Sequence, residues 1–350
     1  MRPRIPWLTA LGFAVLALNA ARWWRGRSGR AGTDDTADFG AFLRERGEHA
    51  GVFLSRRDSD GRWTVEEERN ADAKFPLASV RKVLVLCTLS EAVHEGRIDP
   101  EERVPLAAVR RYRLPGTDGG AYRRAYGRTP SDALISVREC ADAMISASCN
   151  ASTEYLWRQV GGGSATAALA RRHAMTAQDP VPSGYGEFVA TSVPFALRAV
   201  RCPADELAGY YDRIGERPRR WHRLLPFLPS GGLGPRALRR TCAGTPREWV
   251  GLFQAVVDSP AEGAPLSFAR AVLSWPMRDV PGNAEVYQDV LAKGGSLPGT
   301  LTQVYAVRPP AGGAPAVMAV FLKELDAAQR RSLVSTPVWN DHMVRALTRS

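Results

Sequence analysis

Strand signals in this 350-residue chain are confined to its two ends. Near the start, Gly51-Val-Phe-Leu-Ser55 and Arg62-Trp-Thr-Val65 bracket Arg57-Asp-Ser-Asp-Gly61, which reads as strand, turn and strand. Near the other end, residues 289–292, 301–307 and 316–322 read as three strands, with loops expected at 294–299 and 309–313. Between them, residues 104–280 carry helical patterning broken by Pro and Gly clusters at 114–120, 180–186 and 229–235. An amphipathic helix is expected at 38–48, with Phe39, Phe42 and Leu43 on one face, and a closing helix at 339–348. Residues 75–96 read as a long helix, apolar nearly all round at 83–89 and therefore buried. Strands at both ends with helices between them predict an α/β fold. Its antiparallel sheet is built from both chain ends and flanked by helices, with an all-helical lobe inserted. The α/β lobe should take residues 36–86 and 285–350, and the helical lobe 87–284.

Composition narrows the function classes. The net charge of +11 suggests a nucleic-acid partner until its distribution is examined. Arg2, Arg4, Arg22, Arg25, Arg27 and Arg30 supply six positives before the first acid, and without them the excess is only +5. No basic run interleaved with aromatics remains, so no nucleic-acid partner is expected. Residues 5–21 are free of charge and follow two arginines, the pattern of an export signal. Residues 1–30 therefore read as a signal peptide or a membrane anchor, and the chain as exported. Trp23-Trp24 suits an interfacial anchor, whereas the heavier arginine content after the apolar run argues for holding that side in the cytoplasm. Five cysteines without a CxxC pair imply neither a disulfide scaffold nor a zinc site.

Chemistry concentrates on the lysines, of which there are four against 43 arginines. Lysine gives up its proton when desolvated and arginine does not. In Ser79-Val80-Arg81-Lys82, at the head of the expected buried helix, Ser79 and Lys82 lie three residues apart on one face. A serine hydroxyl is a weak nucleophile until a neighbouring base takes its proton, and Lys82 could be that base. Ser148-Cys149-Asn150 places a hydroxyl and an amide two residues apart, to relay a proton and hold a substrate amide; Asn150 could equally cap a helix. Lys293-Gly294-Gly295-Ser296 closes a predicted strand. Two glycines there let a substrate lie against backbone while Lys293 attracts a carboxylate, and a plain hairpin turn with a solvated lysine is the alternative.

Taken together and in this order, S-x-x-K, S-x-N and K-G-G resemble the motifs of the penicillin-recognising serine enzymes of the class A β-lactamase type, over about residues 36–350. The resemblance implies the serine β-lactamase/DD-peptidase fold and a cleft between the two lobes. It implies that Ser79 is the acylated nucleophile, Lys82 its base, Ser148 the proton relay to the leaving nitrogen and Asn150 the substrate-amide ligand. Lys293 would hold a substrate carboxylate, and the backbone N–H groups of Ser79 and Ser296 would form the oxyanion hole, with Gly295 between Lys293 and Ser296. No metal or cofactor is implied. The partner is a small molecule, a β-lactam or peptide-like, and a monomer is expected; β-lactam turnover and antibiotic resistance would follow.

Three departures stand out. Cys149 and Gly294 replace the Asp and the Thr or Ser of the second and third motifs. The Glu-x-x-x-Asn that positions the family's hydrolytic water is missing, because no Asn lies between Asn150 and Asn283. Asp179 and Glu187 are the acids in the expected window; Glu187 is the better placed, on what reads as a loop, where it is either the water activator or a solvated carboxylate. Cys87 and Cys140 fall near the positions of a disulfide found in some relatives. Efficient β-lactam hydrolysis, slow deacylation as in a D-Ala-D-Ala peptidase or esterase relative, and a non-catalytic ligand-binding homologue thus remain distinct expectations.

Overall fold

The computed structural model describes residues 34–115, 117–191, 196–218, 239–310, 313–335 and 338–348. The expected signal or anchor segment at 1–30 and the cluster at 229–235 lie outside the described residues. Among the described residues no helix is long and apolar enough to cross a membrane.

The chain opens with helix α1 (Asp34–Glu45), followed by strands β1 (Ala50–Arg57) and β2 (Trp63–Arg69). The central helix is α2 (Lys82–His94); α3 (Val137–Ile145), α4 (Asn150–Gln159), α5 (Gly184–Thr191) and α6 (Pro246–Asp258) belong to the middle of the chain. Strands β3 (Asp289–Leu297), β4 (Thr300–Arg308) and β5 (Ala316–Leu322) and helix α7 (Val338–Thr348) complete the described chain. The five strands form one antiparallel sheet in the order β2-β1-β5-β4-β3. As the patterning predicts, β1 from the first end pairs with β5 from the last, Val52 opposite Val320.

Strand β5 shows why the sheet is stable in the middle. Val317, Ala319 and Phe321 face one apolar cluster, and Ala316, Met318, Val320 and Leu322 face another. Period-two alternation gives each set its own side, and a strand apolar on both faces must be covered on both. Phe39, Leu43, Trp339, Met343 and Leu347 of α1 and α7 cover one side; α6 and the helical segments cover the other.

Two expectations about element boundaries need correction. The helix expected at 75–96 begins only at Lys82: Phe75–Pro76 is a short strand paired with Ala243–Gly244, and Ala78–Arg81 is a 3-10 turn. Pro76 lacks the N–H a continuous helix would use. The loop expected at 294–299 is instead strand as far as Leu297, closed by a tight turn at Gly299 with φ +73°.

Candidate active site

The three motifs converge on one place. Ser79 stands in the 3-10 turn ahead of α2, Ser148 and Asn150 at the entry to α4, and Lys293 on β3, an edge strand of the sheet. Lys82 Nζ, 2% exposed, donates to Ser148 O at 2.7 Å, Ser148 Oγ at 3.1 Å and Asn150 Oδ1 at 2.8 Å. Lys293 Nζ donates to the same Ser148 Oγ at 3.2 Å and to Gly294 O at 2.8 Å. One hydroxyl therefore sits between two lysine nitrogens, a geometry suited to passing a proton. Asn150 is the first residue of α4, with its side chain on Lys82 and not on the helix end; Cys149 is the cap position, without a side-chain capping bond.

Burial sets the electrostatics. Taking Lys82 out of water pushes its ammonium well below the usual lysine range, and the charge of Lys293 adds to the effect. Burial brings Lys293 down to about 7. Lys82 thus gives up a proton more readily than an exposed lysine. The backbone is strained at the same place: Ala78, just before Ser79, has φ +49° and Ser148 has φ +61°, the left-handed region that non-glycine residues occupy at a cost of about 1–3 kcal/mol.

Gly295 has a steric reason to be glycine. A Cβ there would stand 2.6 Å from Ser79 N, 2.6 Å from Thr302 Oγ1 and 2.8 Å from Leu77 O. Only glycine lets β3 approach the Ser79 turn so closely. The Thr302 hydroxyl also donates to Leu77 O at 3.0 Å, pinning the turn to the sheet.

Ser296 Oγ accepts a hydrogen bond of 2.7 Å from Arg330 Nη2. Arg330, on the helix Ala327–Ser335, thus brings a guanidinium to the strand where Gly294 lacks a hydroxyl. Among 43 arginines no sequence signal marks it.

Glu187 departs from its expected surroundings. It lies within helix α5 and not on a loop, and is 4% exposed and not solvated. One carboxylate oxygen forms an ion pair with Arg81 Nη1, and the other accepts Cys242 N at 2.9 Å. Cys242 O in turn accepts Leu77 N at 3.0 Å, two residues before Ser79. Asp179 accepts Lys74 Nζ at 2.5 Å and Ala243 N at 3.0 Å. Both acids of the expected window are therefore committed to the protein's own cations and amides. Cys87 and Cys140 form no disulfide; all five cysteines are free.

The Ser79 turn, a buried lysine, a bridging serine and an edge strand thus meet at one site. Residues 37–194 match the model of the β-lactamase enzyme family. The fold matches that of a class A β-lactamase from Mycobacterium abscessus, with a TM-score of 0.56 and 16% identity over 90% of this chain and 100% of that one. An ancestral class A β-lactamase aligns with a TM-score of 0.55 and 16% identity, over 89% of this chain and 98% of its own. No curated protein matches the chain by sequence. The protein is class A β-lactamase-like in fold and in the order of its motifs.

Proposed function

We propose that the protein is a serine hydrolase that opens β-lactam-type amides through an acyl-enzyme on Ser79 and releases that acyl group slowly. The observation that carries the first half is the buried Lys82, bonded to Ser148 and Asn150 beside the Ser79 turn. Ser79 Oγ attacks the lactam carbonyl as its proton passes to neutral Lys82 Nζ. The oxyanion is met by the Ser79 and Ser296 N–H groups. On collapse the C–N bond breaks, and the ring nitrogen takes a proton from Ser148 Oγ, which Lys82 replenishes. Lys293 and Arg330 supply positive charge for the substrate carboxylate.

The second half rests on Glu187. A carboxylate engaged by Arg81 and Cys242 N is poorly disposed to take a proton from water. The same reading accommodates a peptidase-like role, in which a β-lactam acylates and stays. Delivery across a membrane, directed by residues 1–30, belongs to the proposal.

Excess benzylpenicillin, with intact mass and ring opening followed together and Ser79→Ala as control, tests both halves. A persistent adduct on the unmodified serine alone is expected. Rapid consumption without adduct would overturn slow deacylation, and neither adduct nor turnover would overturn the acyl-enzyme itself.

A further inference from the structure

Residues 106–128 concentrate charge beside the cleft. They include Arg110, Arg111, Arg113, Arg123, Arg124 and Arg128, all exposed, against a single acid, Asp118. Asp118 turns inward: its two oxygens accept Gly120 N at 3.0 Å and Tyr122 N at 2.8 Å. Arg110, Arg111, Arg123 and Arg128 form no salt bridge among the described residues, whereas other arginines, such as Arg56, Arg158 and Arg270, are paired with carboxylates. The Arg111 and Arg113 guanidinium groups lie over the Tyr112 and Tyr122 rings, 5.1 and 4.8 Å from the centroids, which holds them at the surface.

One contact ties this wall to the second motif. Arg124 Nη2 donates at 3.3 Å to the carbonyl of Ala147, the residue before Ser148, and Arg124 Nη1 donates to Gly119 O at 2.8 Å. Arg124 therefore stands beside the second motif, and the other five arginines lie on the same short segment. Clustered like charge at a cleft mouth raises the local concentration of the opposite charge and the association rate.

We propose that this arginine wall selects acylating substrates that carry a second carboxylate, in addition to the one met by Lys293 and Arg330. The inference rests on the acyl-enzyme reading and names its substrate class. The test compares benzylpenicillin with carbenicillin, which is the same molecule bearing one extra carboxylate on the side chain. The second-order rate constant for acylation of the full chain is read by intact mass at about 20 and about 500 mM NaCl, since surface charge is screened at the higher salt.

Carbenicillin should acylate roughly tenfold faster than benzylpenicillin at low salt, with the ratio shrinking at high salt. In Arg110→Gln/Arg111→Gln/Arg123→Gln/Arg128→Gln the ratio should fall toward one. These side chains are exposed, so folding should survive, and a thermal melt checks it. Equal rates in the unmodified protein, or a preference unmoved by both salt and substitution, overturn the inference and leave the acyl-enzyme standing. Acylation by neither compound overturns both.

Discussion

Two buried lysines share one hydroxyl, and the proposed acyl-enzyme route requires their charge states to differ. Lys82 has to be neutral to accept the Ser79 proton, so acylation rises with pH through its depressed pKa. Lys293 has to be charged to hold a carboxylate, so acylation falls as pH rises through about 7. The pH profile of kcat/KM for acylation should therefore show an alkaline limb near 7, since kcat/KM reports the free enzyme. Lys293→Arg keeps its charge at all these pH values, and should move that limb to higher pH; an unmoved limb would show that another group controls it. Glu187 offers a second residue-scale test. Its side chain and that of Arg81 are 5% and 9% exposed. Glu187→Gln strands a buried guanidinium, and breaking such a pair costs about 3–5 kcal/mol. A large fall in thermal stability with deacylation changed only a few-fold is therefore expected. The opposite result, full stability and a deacylation rate down by about a hundredfold, would make Glu187 the water activator.

At the scale of elements, the site depends on how closely β3 meets the turn ahead of α2. Gly295→Ala would press a methyl group against Ser79 N and Leu77 O, both backbone and unable to swing aside. The strand must then retreat, and a displacement near 1 Å costs about a hundredfold in rate. Acylation rates of the purified variant check this, and a variant as fast as the parent would mean that β3 does not set the geometry. The same strand shows what could be read from sequence. Strands at both ends and three ordered motifs were legible, because hydrophobic alternation and residue chemistry are local. The continuation of β3 through Gly294-Gly295 was not, since glycine punctuates a chain as often as it admits a close neighbour. The helix carrying Glu187 was hidden by the Pro, Ser and Gly residues before it. Its partner Arg81, like Arg330 at Ser296, is one arginine among 43 and is found only when the chain has folded.

Across the whole molecule, the cleft takes Lys293 from the sheet and Ser148 and Asn150 from the helical part, with Ser79 and Lys82 on the element between. Bonds of 2.7–3.2 Å from two lysines cannot persist if those parts move independently. The core forbids such movement. Phe53, Val304 and Phe321 of the sheet belong to one continuous buried cluster with Leu84 and Leu86 of α2, Trp157 of α4 and Trp249 of α6. Phe321 is fully buried and meets Phe75, just ahead of the nucleophile turn, at a ring-centroid distance of 6.3 Å. Phe321→Ala should cost about 3–5 kcal/mol by lost burial and the cavity it leaves. Because the cluster joins the sheet to the helices, that loss should lower one shared transition and not melt the sheet alone. Far-ultraviolet and near-ultraviolet circular dichroism melts should superimpose in the parent and in the variant. A variant whose two melts separate would show that the lobes fold as independent units, and that the lysine network, not the core, holds the cleft together.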